Sequence, residues 1–145
     1  MERTQERVDR ENWEHCKRIA EELDRIADGK VYKCPECGEM VELEENDAGE
    51  MVCPECGAVI APDDVFPLGM MDYFDDVLDI EYRCGSDRQY KSVCLMVACG
   101  GPNIYVDTGS KQVELYWWTD RASYPLRLDV VDAIDADFEE MFNCM

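Results

Sequence analysis

Four cysteines in the first half of the chain have the types and spacing to hold a metal ion. Cys34 and Cys37 are two residues apart, Cys53 and Cys56 repeat the interval, and fifteen residues separate the pairs. That is the spacing of structural zinc sites, in which each Cys-x2-Cys turn aims two thiolates at one point. Gly38 and Gly57 follow the second sulfur of each pair, where the turn needs a permissive backbone. Four soft thiolates around one Zn²⁺ leave no position for water, so the chemistry is structural. A thioredoxin-like redox pair would need only one such motif in a βαβ setting, and two disulfides would suit an oxidising compartment. The doubled motif favours one Zn²⁺.

The other chemistry-bearing residues form weaker constellations. Among Cys16, Cys84, Cys94, Cys99 and Cys144 the one Cys-x4-Cys interval, Cys94 to Cys99, has no second pair to complete a metal site with it, and the five read as buried thiols in a reducing compartment. His15 is the one histidine, so catalysis by several His ligands is excluded and any triad would rest on it. "CGGPN", Cys99 to Asn103, offers a thiol and loose backbone amides, but no base accompanies it and it reads as a loop between strands. Walker-type and dinucleotide-binding glycine patterns are absent. We therefore expect a protein without catalysis.

Charge is unevenly distributed over the 145 residues, whose net charge is −20. Residues 1–33 are nearly balanced at −1, and residues 83–127 carry +2. Residues 34–82 hold fifteen Asp and Glu and no Lys or Arg, and residues 128–145 hold six acidic residues and no basic ones. Four thiolates around Zn²⁺ add −2 to the first acidic block. A surface of this sign repels phosphates, so direct nucleic-acid binding by residues 34–82 is not expected. The N-terminus is charged from its second residue and no apolar run has the length of a membrane span or signal core, which points to a cytoplasmic protein.

The elements that must position these groups follow from periodicity. Trp13, Cys16, Ile19, Ala20, Leu23, Ile26 and Ala27 recur at helical spacing from about Thr4 to Asp28, with Gly29 as the stop. After the cysteine-rich stretch, residues 62–77 read as a Pro- and Gly-broken linker with a short helix over Met70–Val77. Four strands are expected from "LDIEYR", "YKSVCLMVAC", "NIYVDT" and "QVELYWWT". Val130, Val131, Ile134, Phe138, Met141 and Phe142 mark one face of a last helix, with Asp129 as its N-cap. The plan is α+β: a helix (1–31), a metal-bound ribbon (32–61), a linker (62–77), and a four-stranded antiparallel sheet with a C-terminal helix (78–145). The last helix should cover one sheet face, and the first should share it or pack on the ribbon. Trp117 and Trp118, as strand neighbours, would point to opposite faces, so burial of one is expected.

The stretch from Tyr32 to about Ala61, with its two "CPEC" knuckles, resembles the zinc-ribbon family, which implies short hairpins pinned by one Zn²⁺ and no activity. "MVACGGPNIYVDTGSKQVELYWWTDRASYPL", followed by an acidic helix ending "FEEMFNC", resembles small acidic proteins of bacterial mobile elements and phages. Such products often include inhibitors of host defence nucleases, as anti-CRISPR-type proteins do. The function expected is inhibition of a nucleic-acid-handling protein, whose basic surface would meet carboxylates in place of phosphates. Candidate contacts are Glu42, Glu44, Glu45, Asp47 and Glu50 on the ribbon, Asp72, Asp75 and Asp76 after it, and Asp132, Asp135, Glu139 and Glu140 on the last helix. The alternative is an adaptor in a larger assembly, using the ribbon or an aromatic sheet face that includes Tyr116 and Trp118.

Overall fold

The computed structural model describes residues 5–145, with side chains from residue 7; the expected helix start at Thr4 lies outside them. Helix α1 (Gln5–Ala27) buries the stripe Cys16, Ile19, Ala20, Leu23 and Ile26. Trp13 stands at the margin of that stripe, its ring 5.5 Å from that of Tyr124 and under the Lys17 ammonium. The helix ends in a Schellman arrangement: Lys30 N–H donates to the Arg25 carbonyl, Gly29 N–H donates to that of Ile26, and Gly29 takes φ +72°.

The ribbon is built from strands of two residues each. β1 (Tyr32–Lys33) pairs with β2 (Met40–Val41), and β3 (Glu44–Glu45), β4 (Met51–Val52) and β5 (Val59–Ile60) form a separate three-stranded sheet. Its core is small: Cys34, Val41, Cys53 and Ile60 are buried, with Leu43, Ala58 and Val65 packed against them. Chain returning from the ribbon is tied to chain entering it, since Leu68 N–H donates to the Val31 carbonyl and Pro67 bridges to Tyr32. A 3-10 turn (Pro62–Asp64) and helix α2 (Met70–Tyr73) follow. α2 is shorter than the Met70–Val77 segment expected, yet its Met70 and the adjoining Phe74 both reach the main core.

Five strands, not four, make the main sheet: β6 (Asp79–Cys84), β7 (Tyr90–Ala98), β8 (Asn103–Asp107), β9 (Gln112–Trp117) and β10 (Asp120–Pro125), an antiparallel meander in chain order. The additional strand, "DRASYP", carries two charges and a proline and so lacks the apolar signal of its neighbours. At the sheet edge it needs only one hydrogen-bonding partner, and proline is tolerated there. Its inward residues are Ala122 and Tyr124, opposite Leu115 and Val113. Helix α3 (Leu128–Asn143) buries Val130, Val131, Ile134 and Phe138. Asp129 is not its N-cap, because Arg127 holds that position in extended backbone and Asp129 lies in the first turn.

Both helices cover one sheet face, α1 over β9 and β10 and α3 over β7, with α1 also touching α3. The core is the layer between: Val93, Leu95, Ile104, Val106, Val113 and Leu115 from the sheet against the two helical stripes. Arg127 locks the joint, bonding Asp28 at the end of α1 (2.7 Å) and Asp129 at the start of α3 (2.6 Å). It holds both carboxyls below their usual range, chiefly by these hydrogen bonds. The opposite sheet face is left uncovered by the described residues and is largely polar. There the buried Asp107 accepts from Arg83 Nη1 (2.9 Å) and from Gly109 N–H (2.8 Å). A Cβ on Gly109 would sit 2.8 Å from Arg83 Nη1 and 3.0 Å from Ser92 Oγ, so the turn admits glycine alone without rearrangement.

Phe138 is fully buried and meets the rings of Phe74 and Tyr82. Phe138→Ala should therefore cost about 3–5 kcal/mol. Urea unfolding of the zinc-loaded protein, followed by tryptophan fluorescence, measures the loss.

Candidate metal centre

The two knuckles are near copies of one another. In the first, Gly38 N–H donates to the Cys34 carbonyl at 2.8 Å and Cys34 N–H to that of Glu39 at 2.9 Å. In the second, Gly57 to Cys53 and Cys53 to Ala58 reproduce both distances. Gly38 and Gly57 take φ +76° and +75°, the left-handed conformation that closes each turn. The four sulfurs all lie within 4.8 Å of one another, with Cys34–Cys56 at 3.7 Å and Cys37–Cys53 at 3.8 Å.

The two shortest separations fit a tetrahedral four-thiolate site. Thiolates at the Zn–S distance of about 2.3 Å on a regular tetrahedron stand about 3.8 Å apart. A disulfide would require about 2.05 Å. The backbone also prepares the sulfurs: amide N–H groups of Cys37 and then Glu36 lower the Cys34 thiol to about 7. The Glu39 amide favours the Cys37 thiolate as well, but burial and hydrogen bonding with Cys34, Cys53 and Cys56 outweigh it and push that thiol up to about 12. A divalent cation would stabilise all four thiolates at once. The site is closed and holds one structural Zn²⁺.

The acidic residues divide by what they touch. Glu44, Glu45 and Asp47 stand exposed on the β3–β4 hairpin. Glu50 closes that turn, receiving the Asn46 side-chain amide, and Glu42 pairs with Arg25 of α1 at 3.3 Å. Asp72, Asp75 and Asp76 share a crevice with Lys33, Gly38 and Met40, which places them against the first knuckle. Asp72 also accepts the Gly69 N–H. On α3, Asp132, Glu139 and Glu140 are exposed. Burial, then the nearby carboxylates of Glu140 and Asp72, hold Asp137 above the usual range, so acids of α2 and α3 adjoin. Asp135 is half-buried, accepts the Tyr90 hydroxyl at 2.6 Å and so joins α3 to β7.

Two further expectations change. Neither Trp117 nor Trp118 is core, because β9 stops at Trp117 and Trp118 forms the turn to β10. Trp118 is 88% exposed at φ +56°, its ring T-stacked on Trp117. Tyr116 lies half-buried on the open sheet face, bonded to Glu114 and flanked by Tyr105 and Arg121. Of the thiols outside the knuckles, Cys16 is buried and Cys94 half-buried, both pushed up to about 11, first by burial. Cys84, Cys99 and Cys144 are exposed, since they stand at the end of an edge strand, at the start of a loop and beyond a helix's last turn.

Protein purified without added metal should contain one zinc per chain by elemental analysis. Cys53→Ser should lose it and the dispersed amide signals of the ribbon. Signals of the β6–β10 sheet should persist, because the ribbon core is separate from the main core. Residues 32–68 match the family described as TFIIB zinc-binding, a zinc ribbon, while no curated protein and no solved structure matches the chain. About a quarter of the protein is thus similar to a known family, and what that similarity carries is zinc binding by a ribbon.

Proposed function

We propose that this protein is a non-catalytic binding module whose acidic zinc ribbon and adjoining α2 dock on a strongly basic protein surface. The observation that carries this reading is the display of residues 34–82, which have no Lys or Arg. Their carboxylates stand exposed at the hairpin tip and beside the first knuckle, around a metal centre that itself carries −2. The basic surface best suited to such an array is one built for phosphates, the nucleic-acid groove of a nuclease or related enzyme. Occupying it would exclude nucleic acid and so inhibit. The target proposed is a host defence enzyme, a setting that rests only on the sequence resemblance of residues 96–126. The absence of catalysis is part of the proposal: Cys99 is exposed, and among the described residues none hydrogen-bonds its thiol.

One observation favours a second reading, an adaptor anchored by aromatics. A bulky residue in left-handed backbone is strained, and such strain persists where the surrounding structure imposes it, often at functional sites. Trp118 fits that description, fully displayed at a hairpin tip.

A partner recovered from the native host separates the two. For the phosphate mimic, the complex should weaken markedly between low and high salt and compete with nucleic acid. Joint reversal of Glu44, Glu45 and Asp47 to lysine should slow association about tenfold or more, read by surface plasmon resonance. Simultaneous binding of protein and nucleic acid with neither affinity changed would rule out the mimic. Indifference to the reversals, with affinity lost in Trp118→Ala, would establish the adaptor.

A further inference from the structure

The ribbon carries a feature that its metal centre and its charge do not explain. Between the β3–β4 turn and the segment after β5 runs an open groove of about 620 Å³, floored by Met51, Ile60, Ala61, Pro62 and Val65 and bordered by Glu50. Val59, beside it, is 54% exposed. Residues of β4 and β5 both line it, and β5 is an edge strand of the three-stranded sheet, since it pairs with β4 alone.

Hydrogen-bond alternation shows what that edge offers. Asn46 N–H donates to the Glu50 carbonyl on the β3 side of the sheet, and Cys53 N–H donates to that of Ala58 on the β5 side. With the register Met51–Ile60 and Val52–Val59, the bonded pairs alternate, so Val59 turns its N–H and C=O away from β4 to the open edge. An extended segment laid along β5 would find a donor and an acceptor there, and its alternate side chains would fall toward the groove.

We infer that this edge and groove form the anchoring site for an extended basic segment of the partner, an apolar residue flanked by Lys or Arg. Charge complementarity selects this occupant. Glu50 lies at one wall, and Asp63 and Asp64 follow Pro62 on the exposed 3-10 turn. No cation in residues 34–82 opposes a basic guest. A second copy of this chain would instead bring a net charge of −20 against its own carboxylates. The inference rests on the acidic docking proposed above and says where the anchor sits.

Two amidated, fluorescein-labelled heptapeptides test it by fluorescence anisotropy on the zinc-loaded protein, one alternating Lys and Val, the other Lys and Ser. The Lys–Val peptide should bind about tenfold tighter than its equally charged control. Val59→Asp should erase that advantage although it adds an attractive charge. Amide shifts of Glu50, Met51, Val59 and Ile60 in the wild-type NMR spectrum should report the site even if the variant loses zinc. Equal, salt-sensitive binding of both peptides would overturn the groove and leave the acidic docking standing. Binding of neither would overturn both. Shifts centred on Trp118, or wild-type self-association that Val59→Asp abolishes, would likewise overturn the assignment to a basic segment.

Discussion

Residues 34–82 must fold without a cationic side chain of their own, and what holds them is a metal ion whose four thiolates leave the centre at −2. The ribbon's buried core comprises four residues, two of them zinc ligands, which is far below what a domain needs to hold itself together by burial. Thiolate coordination is thus at once the ribbon's core and its cross-link. The surrounding carboxylates can then serve recognition, because cations reach them only from outside the segment. Arg25 of α1 meets Glu42, and Lys33 enters the crevice of Asp72, Asp75 and Asp76.

The rest of the molecule obeys a different constraint. A sheet alternates its faces, and two helices suffice to cover one of them. Val93, Leu95, Ile104 and Val106 face the helices, while Ser92, Cys94, Tyr105 and Asp107 face away. The uncovered side is kept in order by polar bonds in place of packing. Arg83 and the Gly109 amide satisfy Asp107, and Glu114 gathers Ser110, Gln112 and Tyr116. The buried carboxylate of Asp107 is tolerable because it is hydrogen-bonded and paired with a cation.

Legibility in the sequence followed the strength of local signals. The zinc ligands were readable because their chemistry fixes their spacing. α1, α3 and the inner strands were readable because burial imposes a period, and Gly29 marked the helix end because only a left-handed residue completes that cap. β10 was not legible, since an edge strand has one bonded side and admits Arg121, Ser123 and Pro125. Trp117 and Trp118 misled because apolar character suggested strand and core, whereas the turn is placed by register with β10, a non-local property. Asp135 resembled its acidic neighbours on α3, and only the fold brings Tyr90 to it from 45 residues away. The groove beside β5 arises from chain crossing in three dimensions and has no pattern in one.

The Arg127 lock joins α1 to the start of α3 across 99 residues of sequence, and this separation bears on how the chain assembles. The meander is built from neighbouring hairpins whose loops are short to close, whereas α1 must wait for β9, β10 and α3 before its apolar stripe has anything to cover. At translation rates of about 5–20 residues per second, α1 spends roughly 5–20 s without its partners. Over that interval the same acidic and basic residues that form its solvent face are what keep an orphaned amphipathic helix from associating with others. The docking of α1 accordingly makes contacts of wide sequence separation. The fold is closed when Asp28 meets Arg127.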